Sequence, residues 1–198
     1  MRILFQGDSI TDCGRDRSDT ASLGDGYANL VAKTLPADWT FLNRGVSGDR
    51  VYDLESRWYE DCLALKPDLV TIMIGINDTW RRYDSNVPSP ADEFEAALGR
   101  ISKQVLDSGA KLILIEPFVL PIPEDRIKWR EDLDPRIQAV RRTAIANASA
   151  LVPLDGIFAA AACQHSLAEL AGDGVHPSPL GHQLIAEHVA RTILAVTG

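Results

Sequence analysis

Leu69-Val70-Thr71-Ile72-Met73-Ile74 is a nearly unbroken apolar, β-branched run, and Gly75-Ile76-Asn77-Asp78 follows it directly. A strand covered on one face alternates apolar and polar residues. A run that stays apolar reads as a strand buried on both faces, the central position of a parallel sheet. Similar short runs lie on either side. Ile3–Gln6 ends at Gly7, Thr40–Asn43 ends before Arg44-Gly45, Leu112–Ile115 is stopped by Pro117, and Val152–Leu154 comes last. Segments with apolar residues at helical spacing separate them: Tyr27–Leu35, Val51–Leu65, Ala91–Asp107 and Pro135–Ala150, then Ile157–Leu170 and Leu180–Val196. Strand followed by helix, repeated about five times, predicts parallel strands joined by right-handed crossover helices. The fold class is therefore α/β, a three-layer α/β/α sandwich. The pattern leaves strand order open. Phe118–Leu133 has no steady period and is long for a connection, so it reads as a lid, an interface or a solvated excursion.

The bulk numbers narrow the function classes. A chain of 198 residues with 45% hydrophobic and 24% charged residues suits one globular domain over 1–198. A net charge of −8 repels phosphate backbones and anionic lipid, which argues against nucleic-acid and membrane-surface roles. No apolar stretch approaches the roughly 18–20 residues of a membrane span. Cys13, Cys62 and Cys163 are few and scattered, without a Cys-x-x-Cys pair. They suit a reducing compartment, and the expected location is cytoplasmic. His176, His182 and His188 lie six residues apart, which is not the spacing of a metal-binding helix face, so no metal and no cofactor is expected.

In an open parallel sheet, sites form beyond the carboxyl ends of the strands. Gly7-Asp8-Ser9 follows the first strand, Asn43-Arg44-Gly45-Val46-Ser47-Gly48 the second, and Gly75-Ile76-Asn77-Asp78 the third. Asp173-Gly174-Val175-His176-Pro177 precedes the last helix. Together these supply the parts of acyl transfer. Ser9 is a nucleophile in need of a base, His176 is that base, and Asp173 holds the imidazole in its working tautomer. The Ser9 and Gly48 N–H groups and the Asn77 side-chain amide are candidate donors to an oxyanion. Asp8 is a candidate organiser of the Ser9 turn. Trp80, Arg50 and Tyr27 are candidate substrate contacts. The Gly-x-Ser-x-Gly elbow of ordinary α/β-hydrolases is absent from the sequence. Gly24-Asp25-Gly26 starts a dinucleotide-binding pattern, but Asn29 takes the third glycine position.

These four blocks resemble those of the SGNH-hydrolase superfamily, the GDSL-like lipases and esterases, over nearly the whole chain. The residues that carry the likeness are Ser9, Gly48, Asn77, Asp173 and His176, and Ile10 stands where the family name has Leu. Within it, Gly7–Arg15, Asn43–Gly48 and Met73–Arg81 look most like intracellular acetylxylan esterases. There such esterases can carry an aromatic residue just before the catalytic Asp; here Gly172 departs from this and implies a wider pocket. The resemblance implies a five-stranded sheet in the order 2-1-3-4-5, assembly into homo-oligomers, and hydrolysis of sugar O-acetyl esters through an acyl-enzyme. Two rivals are an acyl thioesterase or lysophospholipase of the same superfamily, and a non-catalytic sugar-binding protein.

Overall fold

A computed structural model describes residues 1–147 and 149–198. Five strands form one sheet: β1 (Arg2–Gly7), β2 (Thr40–Asn43), β3 (Leu69–Met73), β4 (Lys111–Ile115) and β5 (Ala150–Val152). Every neighbouring pair is parallel, and the order is β2-β1-β3-β4-β5. β3 lies between β1 and β4, with Leu69 paired to Ile3 on one side and to Lys111 on the other. All five of its residues are buried, as an apolar central strand requires.

The pleat sends alternate residues to two separate cores. Ile3, Phe5, Leu69, Met73, Ile113 and Ile115 face one layer, built on α2 (Tyr27–Thr34), α8 (Leu154–Ala161) and α10 (Pro179–Thr197). Leu4, Val70, Ile72, Leu112 and Leu114 face the other, built on α3 (Val51–Ser56), α6 (Ala91–Asp107) and α7 (Arg130–Ala146). Side chains such as Phe94 and Ile101, fully removed from water, each contribute about 1.5–3 kcal/mol. Among the described residues no helix is long and apolar enough to cross a membrane.

Four boundaries differ from the sequence expectation. The segment 51–65 breaks into α3, α4 (Trp58–Asp61) and a 3-10 turn at Leu63–Leu65. The 157–170 segment splits into α8 and α9 (Leu167–Leu170), because the Ser166 hydroxyl and Glu169 cap a new helix start reciprocally. The last strand comes two residues early, and Leu154 opens α8 instead of ending β5. The helix expected from Pro135 begins at Arg130, with Pro135 inside its second turn; residue 148, within that expectation, lies outside the described residues.

Phe118–Leu133 is a solvated excursion only between Pro121 and Lys128, where most residues are exposed. Phe118, Val119 and Leu120 are buried, and Phe118 stacks on Phe158 at 3.9 Å. A 3-10 helix at Glu124–Trp129 then leads into α7. The segment lacks a period because it is a buried strap followed by a tight helical turn.

Candidate active site

In the order 2-1-3-4-5 the chain leaves β1 and β3 toward opposite sides of the sheet, which opens a crevice at their carboxyl ends. Ser9 follows β1 there as the first residue of the short helix α1 (Ser9–Asp12). Asn77 follows β3 in the first turn of α5 (Ile76–Ser85). The loop after β2 brings in Gly48, and the loop before α10 brings in Asp173 and His176.

Three predicted residues form a continuous relay. Ser9 Oγ lies 2.9 Å from His176 Nε2, and His176 Nδ1 lies 2.6 Å from Asp173 Oδ2. The other oxygen, Asp173 Oδ1, accepts the backbone N–H groups of Val175 at 2.9 Å and His176 at 2.7 Å. The carboxylate is thus fixed by its own loop. Partial burial pushes its pKa up, but the hydrogen bonds from the His176 ring, the His176 N–H and the Val175 N–H outweigh it and hold Asp173 below its ordinary value. The His176 and Asp173 side chains are 46% and 43% exposed, so the relay stands at an open surface.

The three candidate oxyanion donors lie just beyond the carboxyl ends of β1, β2 and β3. The N–H of Ser9 opens a helix and has no intrahelical acceptor. Gly48 has φ of +91°, a backbone that glycine adopts without the penalty other residues carry, and its N–H has no backbone acceptor among the described residues. The Asn77 amide donates to the Asp49 carbonyl at 3.1 Å, which ties α5 to the Gly48 loop and leaves its second N–H for a ligand. From the other side, Asp12 Oδ2 accepts the Ser47 N–H at 3.0 Å and its hydroxyl at 2.8 Å. Ser47 is exposed while Asp12 is buried, so α1 carries both the nucleophile and the clamp on the neighbouring loop.

The remaining candidates divide. Trp80 lies 5.7 Å from the His176 ring and 5.3 Å from Trp129, partly exposed beside the relay. Asp8 is buried, and its Oδ1 caps α1 by accepting the Ile10 N–H at 3.0 Å. Tyr27 does not line a pocket. It is fully buried, packs edge-on to Phe5, and its hydroxyl pairs with Thr11 at 2.9 Å. Arg50 opens α3, where it pairs with Asp53 and lies over the Tyr52 ring. His182 accepts the Tyr27 N–H at 3.2 Å, and burial lowers its pKa to about 4. It is a neutral structural acceptor joining α10 to α2.

Sequence reasoning missed the wall beside His176. Arg126 stacks its guanidinium on Trp129 at 3.9 Å and on Trp80 at 5.2 Å, and reaches the Asp173 carbonyl at 3.4 Å. The strap binds the relay loop directly, since Leu120 N–H donates to the Gly174 carbonyl at 2.8 Å. The available signal was Trp129 and Arg126 in an otherwise patternless segment, which says nothing of where that segment packs.

The chain has well-matched relatives. The profile of the GDSL-like lipase/acylhydrolase family matches residues 5–184. An acetylxylan esterase of Geobacillus stearothermophilus is 37% identical over 205 residues, covering 97% of this chain and 93% of that protein. The crystal structure of Axe2, an acetylxylan esterase from that organism, superposes with a TM-score of 0.87 at 35% identity, covering 97% and 93% of the two chains. LAE5, an alpha/beta hydrolase enzyme from the metagenome of Lake Arreo, Spain, superposes with a TM-score of 0.89 at 32% identity, covering 100% and 96%. With the profile spanning most of its length and a relative above one-third identity, the chain belongs to the GDSL-like lipase/acylhydrolase family of carboxylic ester hydrolases.

Proposed function

We propose that the protein is a serine esterase that removes O-acetyl groups from xylo-oligosaccharides or closely related sugars, and that Ser9, His176 and Asp173 are its catalytic triad. The observation that carries the reading is the unbroken relay, with contacts of 2.9 Å and 2.6 Å ending on a carboxylate fixed by two backbone N–H groups. The acetylxylan esterase relative, matched along nearly its full length, supports the acetyl substrate. So does the open relay beside Trp80. Half-exposed catalytic groups suit a small acyl group on a bulky alcohol, and an indole face suits the ring of a sugar.

The mechanism runs through an acyl-enzyme. Ser9 Oγ attacks the acetyl carbonyl as His176 Nε2 takes its proton. Asp173, kept ionised by its hydrogen bonds, offsets the imidazolium that forms without accepting the proton. The carbonyl oxygen becomes an oxyanion facing the N–H groups of Ser9 and Gly48 and the free N–H of Asn77, each worth about 3–4 kcal/mol in such sites. His176 then protonates the departing sugar oxygen, and the acetyl group stays on Ser9. Water, deprotonated by His176, attacks the acyl-enzyme and releases acetate. The scattered free thiols Cys13, Cys62 and Cys163 support a reducing, cytoplasmic setting.

Acetate release from acetylated xylo-oligosaccharides, run beside an acyl-chain series on one alcohol and a Ser9→Ala control, tests the reading. Activity should fall steeply beyond acetyl or propionyl and vanish in the control. Undiminished turnover of long acyl chains would move the protein to the thioesterase or lysophospholipase side of the family, and an active Ser9→Ala protein would end the Ser9 assignment.

A further inference from the structure

Each candidate oxyanion donor stands next in sequence to a buried carboxyl: Asp8 before Ser9, Asp49 after Gly48 and Asp78 after Asn77. Two of the three are partly compensated, although burial still holds both above the ordinary carboxylate value. Asp49 takes Arg57 Nε at 2.7 Å. Asp78 accepts the Val51 N–H at 3.1 Å and the Ser89 hydroxyl at 2.8 Å, with Arg136 and Arg50 in its surroundings. Asp8 is not. It is 1% exposed, its Oδ1 has the Ile10 N–H, and its Oδ2 is buried with no partner among the described residues.

We infer that Asp8 is a positioning residue that works as a neutral carboxylic acid, capping α1 so that the Ser9 N–H faces the oxyanion while keeping a negative charge away from it. The inference rests on the reading of Ser9 as nucleophile. A carboxylate with one hydrogen bond and no counter-ion is costly to bury, and a second and third carboxyl nearby raise that cost. The groups facing Asp8 are Asp78 from α5, Asp49 from the loop before α3, and the Tyr27 ring from α2. Arg57 comes up to the Gly7 carbonyl at 3.4 Å, but it pairs with Asp49 at 2.7 Å and Asp61 at 3.0 Å and makes no ion pair with Asp8. Burial, with the repulsion of Asp78 and Asp49, pushes Asp8 up to about 7. Asp8 is then neutral below that pH and charged above it. A charge set directly behind the oxyanion opposes the transition state and should lower kcat about tenfold or more.

The test compares kcat against pH for wild type, Asp8→Asn and Asp8→Ala, with Ser9→Ala as the control on the underlying reading. Wild-type kcat should fall on the alkaline side as Asp8 ionises. Asp8→Asn keeps a neutral cap, so it should stay within about threefold of wild type at pH 6 and lose the alkaline fall. Asp8→Ala removes the cap and should be slower at every pH. A folded Asp8→Asn protein more than tenfold slower at pH 6, or one that retains the alkaline fall, overturns the inference. Should Asp8→Asn fail to fold, carbon-13 carboxyl NMR of the wild type with the Asp8 signal assigned decides: the Asp8 carboxyl should remain protonated at pH 6, and finding it ionised there refutes the inference. An active Ser9→Ala protein would be a failure of the nucleophile assignment, recognisable apart from any Asp8 result.

Discussion

Gly174 sits between Asp173 and His176 with φ of +82°, and replacing it with alanine tests whether the strap positions the relay. A Cβ at this position would lie 2.2 Å from the Ile122 carbonyl oxygen and 2.6 Å from that of Leu120. Both are backbone atoms, so no side chain can rotate out of the way. Ordinary contact begins near 3.4 Å, which obliges the loop and the strap to part by about 1 Å in a closely packed interior. An L-residue at positive φ adds about 1–2 kcal/mol of strain, and weakening the Leu120–Gly174 hydrogen bond adds about 1 kcal/mol. A total of about 2–3 kcal/mol corresponds to a Tm lower by about 5–10 °C for a chain of this size. The catalytic effect should be larger in relative terms, because a 1 Å misplacement of a catalytic group costs about a hundredfold. The assay is kcat on p-nitrophenyl acetate, with thermal melts of the same samples. Gly99→Ala in α6 is the control: nothing lies within 4 Å of its Cβ, so it should gain about 0.5–1 kcal/mol of stability and leave kcat unchanged. A folded Gly174→Ala protein within threefold of wild-type kcat would show that the strap does not set the relay geometry.

Removing Ser9 or His176 should each cost about 10⁴–10⁶ in kcat, and the double variant should be scarcely worse than either; single-turnover measurements giving multiplied losses would show that the two do not act as a unit. Trp80→Ala should raise KM for acetylated xylo-oligosaccharides by about tenfold while changing p-nitrophenyl acetate kinetics little, since only the sugar loses a stacking face; equal losses on both substrates would make Trp80 a support for His176 instead. His182, held at about 4 in the folded protein against 6.5 when free, binds its proton more readily in the unfolded chain. Folding stability should therefore decline as pH falls from about 6.5 toward 4. Urea unfolding at pH 7, 5.5 and 4.5 checks this, and His182→Gln should flatten that part of the profile.

The layers and the identity of the relay residues were legible because each rests on a local signal. The continuous apolar run at Leu69–Ile74 marks a strand with helices on both faces, and the turns after β1, β2 and β3 carry their polar residues in motifs a few residues long. Where a signal depends on packing at a distance, the sequence is mute. Tyr27 has the look of a pocket aromatic, yet whether a tyrosine faces solvent or the Phe5 ring is decided by how α2 rotates on the sheet. Pro135 reads as a helix start, but α7 begins at Arg130 and carries Pro135 inside, where the helix forgoes one i→i−4 hydrogen bond, to the Glu131 carbonyl; a local preference for the first turn is overridden by packing.

The strap shows why that silence matters for function. Its buried residues Phe118–Leu120 follow β4 on the same edge as the relay, so Leu120 meets Gly174 and, six residues later, Arg126 meets Trp80, Trp129 and the Asp173 carbonyl. One segment therefore touches both the wall a sugar would lie against and the backbone that aims the carboxylate. Arg126→Ala should accordingly disturb binding and turnover together, raising KM for the oligosaccharide and lowering kcat several-fold even on p-nitrophenyl acetate. Arg126→Lys keeps the charge but not the planar stack, and should recover little of either. Steady-state kinetics on the two substrates separate the cases: a pure KM effect would confine Arg126 to the substrate wall, and the link between wall and relay would then have to run through Leu120 and Gly174 alone.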